Sequence, residues 1–433
     1  MKLPTVFALS TPPGRSGIAV IRITGDAAPR ILRELTGCSL PGPRTASRRR
    51  LVDENGSMID DALVLFFPAP SSVTGEDVVE LHCHGGRAVT AAVLSWLSGF
   101  DGVLPAAPGE FTQRAFINGK MDLTEVEASG ALLAAETEAQ RKQAVQAAGG
   151  GVQRIVAAVR HNLVQALALV EATIDWSDED VPEDVGPEVS NALASARSAL
   201  RGLLEGAGAR ERLMEGFEVV LIGAPNAGKS SLINAIVGRE VALATPISGT
   251  TRDIIEARLD LRGLPITLID TAGFHESVNV IEEMGMARGR ERAARADLRL
   301  FIDAPEAPLP LEVAQLHSPG DLTVSNKADL AFGAHMPVSA RTGEGLEALV
   351  EQMAAVLQDR VPTESGIAEA RQRAEVGAGL ESVDLAISGL GVVGTEIVAE
   401  YLRGALASLE RLAGRTTPEA VLGEVFSKFC LGK

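Results

Sequence analysis

Gly223-Ala-Pro-Asn-Ala-Gly-Lys-Ser230 has the pattern GxxxxGK[ST], which is typical of a phosphate-binding loop. The apolar residues 217–223 predict a buried strand before it, and its glycines allow a turn whose backbone N–H groups face a phosphate chain. Lys229 is then placed to reach the β- and γ-phosphates, and the Ser230 hydroxyl to hold magnesium. The stretch therefore predicts a nucleotide site at the end of a strand in an α/β domain.

Two further motifs predict the segments that respond to the γ-phosphate. Asp270-Thr-Ala-Gly273 follows an apolar run, so Asp270 is expected at a strand end, where it can orient a metal-bound water. The glycine of this motif can bring its N–H to the γ-phosphate. Thr250 and Thr251 lie between the two motifs, where a mobile loop would carry a second hydroxyl to magnesium. This order of motifs predicts two switch segments.

The choice of base is predicted by Asn326-Lys-Ala-Asp329 and Ser339-Ala-Arg341. A carboxylate at Asp329 can accept two hydrogen bonds from the N1–H and N2 amine of guanine, and adenine offers no such pair. Lys327 would lie along the base plane, and the second motif supplies a backbone donor to the guanine carbonyl oxygen. A helix cap or a turn would explain either motif alone. The ordered set predicts a GTP-binding domain.

Phe274 stands where GTPases resembling Ras place a glutamine that orients the attacking water. A phenyl ring cannot hydrogen-bond water, so hydrolysis needs another residue, an added ion or a partner molecule. A slow switch that relies on an external activator stays open at this point.

Composition limits the other domains and the compartment. A chain of 433 residues with 46% hydrophobic residues predicts two or three domains with their own cores. Aromatic residues make up 3%, so the cores are expected to be built from Ala, Leu and Val, which suits helical packing. Three cysteines, Cys38, Cys83 and Cys430, are too few and too scattered for a disulfide framework or a zinc site. Because residues 1–30 predict neither a signal peptide nor a spanning helix, we expect a soluble, cytoplasmic protein with no membrane partner.

The net charge of −17 excludes a protein that grips nucleic acid over its whole surface. Any RNA binding must use a local basic patch. Arg48-Arg49-Arg50 and the run of Arg288, Arg290, Arg292 and Arg295 are candidates. Such clusters are usually solvated faces, and the sequence alone favours that interpretation for both.

The pattern along the chain predicts three kinds of domain. Residues 1–119 alternate strand-like runs with turns and a few helices, which predicts an α+β domain. The predicted strands are 5–9, 18–23, 62–67 and 78–82. An Ala-rich helical pattern occupies 120–215, and a stripe of apolar residues three or four apart can pack on other helices, at Ile155, Val159, Leu163, Leu167, Val170 and Ile174. An acidic segment at 175–184 breaks this pattern before a second helical stretch from 187 to about 214. The α/β GTP-binding domain (P-loop, Ras-like) is expected at 216–363, and helical periodicity returns at 364–433. The simplest arrangement inserts the nucleotide domain into one discontinuous α-helical domain made from both flanks.

Motifs outside the nucleotide domain carry a specific resemblance. They are Thr11-Pro-Pro-Gly-Arg-Ser-Gly17 with Ile21-Arg-Ile23, Glu80-Leu-His-Cys-His-Gly-Gly86, Pro108-Gly-Glu-Phe-Thr112, Asn118-Gly-Lys-Met-Asp122 and the terminal Cys430-Leu-Gly-Lys433. On these motifs the chain resembles the tRNA modification GTPase family MnmE, also called TrmE, over all three regions.

The resemblance implies a homodimer that joins through its N-terminal domain and binds 5,10-methylenetetrahydrofolate, or a related tetrahydrofolate, there. It also implies a hetero-oligomer with the FAD-dependent protein MnmG. Such proteins add an aminomethyl or carboxymethylaminomethyl group to carbon five of the tRNA wobble uridine, with a one-carbon unit from the folate. By their positions in the motifs, Arg22, Glu80, Lys120 and Lys433 would contact folate. Without the resemblance each would be interpreted as an ordinary surface charge.

The resemblance also implies a route to hydrolysis without the glutamine. The resemblance implies that K⁺ binds at the nucleotide and that two GTP-binding domains come together across the dimer. The K⁺ ligands implied here are Asn226, Thr245, Ile247 and Thr250. Glu282 aligns with a glutamate beyond the second switch, which would orient the attacking water. An extra cation near the β–γ bridge offsets charge that an arginine finger would otherwise neutralise.

Motifs and resemblance together give the candidate ligands of GTP and Mg²⁺. Magnesium would be held by Ser230 and Thr251. The GTP-binding residues are Asn226, Ala227, Gly228, Lys229, Ser230, Ser231, Thr245, Thr250, Thr251, Asp270, Thr271, Ala272, Gly273, Asn326, Lys327, Asp329, Ser339 and Ala340.

Some features depart from the family pattern or leave alternatives open. His275 stands where the family usually carries Arg, and the segment from Ala304 to Asp321 is shortened and Pro-rich. The Cys430 thiol could be a nucleophile or a small buried hydrophobe. A ribosome-assembly GTPase that binds RNA would share the switch motifs, but it would normally carry a basic module rather than acidic flanks. A stand-alone folate methyltransferase would need no GTP site.

Overall fold

A computed structural model describes residues 3–175, 186–242, 256–270, 291–331, 333–361, 366–427, 429 and 432. Contacts divide the chain into two compact units. The first unit combines Met1–Gly130 with Glu410–Lys433, and the second is Ala131–Leu409. The acidic segment 175–184 of the sequence lies almost wholly outside the described residues.

Strands form two separate sheets, one in each unit. They are β1 Thr5–Leu9, β2 Ile18–Thr24, β3 Ser47–Val52, β4 Met58–Phe67, β5 Val78–His84, β6 Val103–Pro105, β7 Phe217–Gly223, β8 Val241–Ala242, β9 Glu256–Leu261, β10 Leu264–Asp270, β11 Leu298–Asp303, β12 Leu322–Ser325 and β13 Met336–Pro337.

Helices connect and cover the strands. They are α1 Ala28–Thr36, α2 Arg87–Ser98, α3 Glu110–Ile117, α4 Leu123–Ala134, α5 Glu138–Ala148, α6 Gly151–Asp175, α7 Gly186–Leu204, α8 Ala207–Glu215, α9 Lys229–Val237, α10 Leu311–Ala314, α11 Leu346–Gln358, α12 Ala370–Gly389, α13 Thr395–Leu412 and α14 Glu419–Ser427.

The first unit is built on a six-stranded sheet in the order β3-β4-β5-β2-β1-β6. Only the β1–β6 pair is parallel. Alternate residues of each strand point to opposite faces, so one face gathers buried side chains such as Ile21, Val64 and Leu81 under α1 and α2. The opposite face carries Arg22, Glu80 and other polar side chains, and α3 covers part of it through Phe111.

Residues from the end of the chain complete this first unit. Phe426 and Phe429 are buried with Leu123 and Val126 in one apolar cluster. Gly109 allows the close approach of α14, because a Cβ there would meet the Phe426 carbonyl oxygen at 2.4 Å. The C-terminal segment is therefore part of the same compact unit as the N-terminal sheet.

The second unit contains a seven-stranded sheet in the order β13-β12-β11-β7-β10-β9-β8. Strands β10, β7, β11, β12 and β13 run parallel to one another. At one edge, β9 pairs antiparallel with β10, and β8 pairs antiparallel with β9. Val219 and Leu221 on β7 are fully buried, as expected for the central strand of a covered parallel sheet. The sheet is that of an α/β nucleotide-binding domain.

Helices before and after this sheet pack together within the second unit. Arg403 on α13 pairs with Glu171 on α6 at 2.8 Å, and Arg373 on α12 pairs with Glu211 on α8 at 3.2 Å. Helix α7 packs against both α6 and α12. These contacts confirm a discontinuous helical part with an inserted nucleotide domain, while the predicted domain boundaries stay a prediction.

One detail of the predicted helices was wrong. Ile155, expected in the buried stripe of α6, is 36% exposed, whereas Val156 is 9% exposed. Successive helix residues are about 100° apart, so the buried line passes through Val156 rather than Ile155. The second helical stretch, predicted from 187 to about 214, consists of two helices, which Gly206 separates by adopting a left-handed conformation with φ of 68°.

One helical stretch, 138–174, is long and apolar enough to cross a membrane by length and composition, with 22% of its most apolar window buried. Core helices of soluble proteins pass the same test. Gly149 and Gly150 separate α5 from α6 within this stretch. The expected lack of a membrane partner stays a prediction.

Candidate functional sites

The phosphate loop follows β7 directly, as its sequence predicts. Gly223 ends the strand, and α9 begins at Lys229. Gly228 has φ of 91°, and a Cβ there would meet the Asn326 side-chain nitrogen at 2.3 Å. Asn226 also takes a left-handed conformation, with φ of 61°. The loop therefore turns back on the N-terminus of α9, where free N–H groups favour an anion.

Lys229 is buried inside this loop. Lys229 is 7% exposed, and its Nζ donates to the carbonyl oxygens of Gly223 at 3.0 Å and Ala224 at 3.1 Å. Burial lowers the pKa of Lys229, and the nearby Asp270 carboxylate opposes that shift. A buried cation held by carbonyl oxygens next to a helix N-terminus is suited to receive phosphate oxygens.

Ser230 and Asp270 meet at the edge where β7 and β10 end. The Ser230 hydroxyl donates to Oδ2 of Asp270, and the residue Asp270 is 5% exposed. Its Oδ1 atom is buried and has no hydrogen-bond partner among the described residues. Hydroxyl and carboxylate oxygens are ligands that Mg²⁺ prefers, directly or through its waters. The orphaned oxygen therefore fits a hydrated magnesium ion.

Asn326 connects the phosphate loop to the loop of Ser339. Its Nδ2 donates to the Ala227 carbonyl oxygen at 2.9 Å, and its Oδ1 accepts from the Ala340 N–H at 3.4 Å. The residue is 2% exposed. Both loops are thus held in register by one side chain.

Asp329 presents a carboxylate near the same two loops. Ser339 Oγ donates to Oδ1 at 2.6 Å, and Arg341 Nη2 lies 3.0 Å from Oδ2. The Ser339 hydrogen bond holds the pKa of Asp329 below its usual value. Lys327 has φ of 60°, and its Nζ pairs with Glu306 at 3.0 Å. An ionised, oriented carboxylate is the group that guanine recognition requires.

The structure also places the remaining phosphate-loop candidates: Ala227 is fully buried, and Asn226 and Ser231 are exposed. Several predicted site residues lie outside the described part of the chain, as do Phe274 and His275. These are Thr245, Ile247, Thr250, Thr251, Thr271, Ala272, Gly273, Glu282, Cys430 and Lys433.

A second polar site occurs on the outer face of the first unit's sheet. Arg22 on β2 lies directly opposite Glu80 on β5, and its Nε and Nη2 donate to Glu80 Oε1 at 3.0 and 2.8 Å. Both side chains are partly exposed, at 22% and 17%. The other Glu80 oxygen is 3.4 Å from the His82 ring nitrogen. Glu80 therefore keeps acceptor capacity for a ligand beside a cation.

Helix α3 positions this second site. The Arg22 guanidinium lies 5.7 Å from the centre of the Phe111 ring. Arg114 on α3 is 1% exposed and forms ion pairs with Glu76 at 3.0 Å and with Glu110 at 2.6 Å. The pair with Glu76, which precedes β5, holds α3 against the sheet. Lys120 follows α3 and is exposed, and its Cε would be 3.2 Å from a Cβ on Gly75. Two of the folate candidates thus make direct contact, and Lys120 lies over an adjacent loop.

The C-terminal tail reaches the strand next to Arg22. Ser10 Oγ donates to the Gly432 carbonyl oxygen at 2.9 Å. Gly432 has φ of 87°, and a Cβ there would meet the Leu9 carbonyl oxygen at 2.6 Å. Leu9 ends β1, the strand in which Ala8 is directly opposite Arg22. The residue before Lys433 is therefore fixed beside the strand that flanks Arg22.

Sequence reasoning missed several residues at these sites. His82 lies on the same face of β5 as Glu80, because side chains alternate along a strand. This two-residue period could have predicted His82 from the sequence. Phe111 lies in the quoted Pro108–Thr112 motif, but its position over Arg22 depends on how α3 packs. Cys83 faces the core, where burial raises the pKa of its thiol to about 12, and so makes a poor nucleophile.

The parallel sheet, the phosphate loop and the oriented Asp329 define the chain as a P-loop GTPase carrying an added α+β domain and a helical domain. A family model described as the GTP-binding protein TrmE N-terminus matches residues 5–120, and one described as the MnmE helical domain matches residues 123–430. The tRNA modification GTPase MnmE of Roseobacter denitrificans is 46% identical over 433 residues, with 100% of both chains covered. That of Dinoroseobacter shibae is 45% identical over 434 residues, again with 100% of both covered. The chain belongs to the MnmE family of tRNA modification GTPases.

One comparison with a solved structure is much weaker. The G domain of the FeoB iron transporter of T. maritima aligns with 32% of this chain and 98% of its own, at 26% identity and a TM-score of 0.27. That score is too low to support an argument, so the assignment to the family rests on the full-length relatives.

Proposed function

We propose that this protein hydrolyses GTP to drive modification of carbon five of the tRNA wobble uridine, adding an aminomethyl or carboxymethylaminomethyl group. The observation that carries the proposal is the presence, in one chain, of a guanine-type phosphate-loop site and a separate Arg22–Glu80 site beside the C-terminal tail. A simple switch would need only the first site. Full-length similarity to tRNA modification GTPases supports the same conclusion.

The nucleotide site would work through residues of the second unit. Lys229 and the loop N–H groups would bind the phosphates, and Asp329 would select guanine. Ser230, Thr251 and water bound to Asp270 would hold Mg²⁺, which when bound offsets charge on the phosphates. We propose Glu282 as the residue that orients the attacking water, and Asn226, Thr245, Ile247 and Thr250 as ligands of K⁺.

The folate site would work through residues of the first unit. Glu80 would accept hydrogen bonds from the donor edge of a pterin ring, and Arg22, Lys120 and Lys433 would pair with carboxylates or fix the ring. A bound 5,10-methylenetetrahydrofolate, or a related tetrahydrofolate, would supply the one-carbon unit. Gly432 beside β1 supports a role for Lys433, since the neighbouring residue is already fixed near Arg22.

The assembly we propose is a cytoplasmic homodimer joined through the N-terminal domain. It would act with the FAD-dependent protein MnmG on tRNA. A ribosome-assembly GTPase remains the alternative function, and it would not need the Arg22–Glu80 pair.

The experiment is complementation of a deletion strain, with tRNA nucleosides measured by mass spectrometry. The wild-type gene should restore the modified wobble uridine. Lys229→Ala and Glu80→Gln should each fail to restore it, but only Lys229→Ala should lose GTP hydrolysis in the purified protein, because the two sites use different residues. If Glu80→Gln restores the nucleoside fully, the folate assignment is wrong. If the deletion strain keeps the nucleoside, the proposed function is wrong.

A further inference from the structure

Four arginines lie on or beside β3, the outermost strand at one edge of the first unit's sheet. They are Arg44, just before the strand, and Arg48, Arg49 and Arg50 within it. We name this set the β3 arginine edge. The run 48–50 contains the only three consecutive basic residues in the sequence. The sequence alone favours a solvated face for this run. The contacts of its side chains favour a binding surface instead.

Most of the positive charge on this edge is not compensated. Arg48 donates from Nε to both oxygens of Asp61, each at 3.0 Å. Neither Arg49 nor Arg50 has a carboxylate oxygen within 4 Å in the described part of the chain. The Nε of Arg49 is buried and without a hydrogen-bond partner in that part. One carboxylate therefore serves three guanidinium groups.

Arg44 adds a fourth positive charge and is held by neutral groups. Its guanidinium lies 5.5 Å from the centre of the Phe67 ring and donates to the Ser71 carbonyl oxygen. A cation over an aromatic face is fixed in place without losing its charge. Arg44 is thus positioned but remains available to an anion.

Several other exposed arginines of the chain are paired with carboxylates. Arg141 lies 2.7 Å from Glu138, Arg403 lies 2.8 Å from Glu171, and Arg295 lies 2.9 Å from Glu291. That pattern is expected where acidic residues outnumber basic ones by 57 to 40. Because the β3 arginine edge gathers four guanidinium groups and pairs only Asp61 with them among the described residues, it forms a local positive potential on an acidic protein, which attracts a polyanion.

The geometry of an edge strand suits a chain of phosphates. Alternate side chains share a face, which places Arg48 and Arg50 about 7 Å apart on the outer face of the sheet. No described strand pairs with the outer edge of β3, so its backbone N–H groups on that side have no partner strand among the described residues. A guanidinium group can donate two parallel hydrogen bonds to one phosphate. A row of such donors matches a nucleic-acid backbone better than a single small anion.

We propose that the β3 arginine edge binds the phosphate backbone of the tRNA substrate. The proposal rests on tRNA being the substrate, as proposed above, and needs neither the folate nor the MnmG assignment. Arg48 faces the same side of the sheet as Glu80, and two inter-strand spacings of about 4.8 Å each separate β3 from β5. A nucleotide whose phosphate binds at this edge therefore lies within reach of the Arg22–Glu80 site.

The test measures tRNA affinity of the full-length protein against salt concentration for the wild type, Arg50→Ala and Arg44→Ala/Arg50→Ala. Each phosphate contact that is lost should lower the slope of log affinity against log salt by about 1. We expect the double variant to lose roughly tenfold in affinity at moderate salt and a slope of about 2. GTP hydrolysis should be unchanged, because the nucleotide site belongs to the other unit.

Arg30→Ala is the matched control. Arg30 is exposed, lies in the same unit and pairs with Glu34 at 3.7 Å. Its loss removes one positive charge, as Arg50→Ala does, without touching the edge, so the two single variants are compared directly. We expect Arg30→Ala to bind tRNA like the wild type. An equal loss in Arg30→Ala would show an effect of net charge alone and overturn the proposal, as would an unchanged affinity and slope in the double variant.

Two further outcomes separate this proposal from other conclusions. If the double variant changes the oligomeric state, measured by light scattering, and leaves tRNA binding intact, the edge is a protein interface and the proposal is wrong. If the wild-type protein does not bind tRNA in the presence or absence of GTP, the failure belongs to the proposed function. Circular dichroism of each variant checks that the first unit still folds.

Discussion

Asp329 is held from both sides, and that arrangement makes base choice testable at a single residue. Ser339 and Arg341 each contact one carboxylate oxygen, which leaves one lone pair on each oxygen for guanine. Since Ser339 is fully buried and donates at 2.6 Å, the carboxylate is oriented before nucleotide arrives. Orientation of this kind lowers the cost of forming two hydrogen bonds at once.

Asp329→Asn should weaken GTP binding by an amount on the order of 2 to 4 kcal/mol, because an amide cannot accept from both guanine donors. The same variant should gain affinity for a xanthine nucleotide, whose carbonyl replaces the amine. Calorimetric titration with each nucleotide measures both effects. Ser339→Ala is the control: it should weaken GTP binding without any gain for xanthine. GTP affinity that stays at the wild-type value in Asp329→Asn would remove the guanine assignment.

A second prediction at the residue scale separates catalysis from binding at Glu282. A residue that only orients water in the transition state should, when changed to Ala, lower kcat and leave nucleotide affinity nearly unchanged. A loss on the order of 10- to 1000-fold in kcat is expected for one positioning group. Single-turnover hydrolysis and nucleotide titration of the same preparation give the two quantities. Hydrolysis at the parental rate would assign the role to another residue.

Residue roles were predictable where a motif fixes them by local spacing. Lys229 and Ser230 lie at fixed steps from the end of β7, so the motif alone gave their positions. The contact of Asn326 with Ala227 was not predictable, because 99 residues separate the two and no spacing rule spans them. The Arg22–Glu80 site could be predicted only from the family resemblance. In the sequence alone, a charged residue that binds a ligand cannot be told from one that faces solvent.

Two glycines with positive φ allow a prediction at the scale of a single segment. Gly432 and Gly37 both have positive φ, 87° and 63°. A Cβ on Gly432 would meet the Leu9 carbonyl oxygen at 2.6 Å, whereas a Cβ on Gly37 would have nothing within 4 Å. The two positions therefore share the backbone strain of a left-handed residue but differ in packing.

Gly432→Ala should displace the tail from β1 and reduce tRNA modification by on the order of tenfold or more, because misplaced contacting groups lose their effect. GTP hydrolysis should be kept. Gly37→Ala, the control, carries the same strain without the clash and should keep both activities. Complementation with nucleoside mass spectrometry measures the first activity and phosphate release the second. Full modification by Gly432→Ala would exclude a role for the tail's position at β1.

The periodicity of apolar residues predicted which segments are helices and which are strands. It often did not predict where they begin and end. Strand β1 was predicted at its observed bounds because apolar residues fill it between turns. Strand β4 begins at Met58, four residues before the predicted start at Ala62, because Asp60 and Asp61 make the added stretch polar, so that it resembles a loop in the sequence. Tertiary pairing with β3 and β5 extends the strand beyond what its own sequence indicates.

Potassium dependence is a prediction at the scale of the whole molecule. We propose that the ion acts where two GTP-binding domains of the dimer meet. Replacing K⁺ with Na⁺ at constant ionic strength should slow GTP turnover strongly and weaken association of those domains. Asn226→Ala should show low activity in both salts, since its side chain is the proposed ligand. Turnover assays and light scattering with a transition-state analogue give the measurements. Equal wild-type rates in the two salts would leave ion activation without support.

Completion of the first unit by residues 410–433 sets an order of events during synthesis. The sheet of residues 3–105 leaves the ribosome early, but Phe426, Phe429 and Gly432 join it only after the whole second unit has been made. At roughly 5 to 20 residues per second, the interval is about 15 to 60 seconds. Until then the apolar surface around Leu123 and Val126 lacks its covering residues. The domain that is translated first is therefore the last to reach its final form, and an incomplete chain cannot assemble the Arg22 site with its tail.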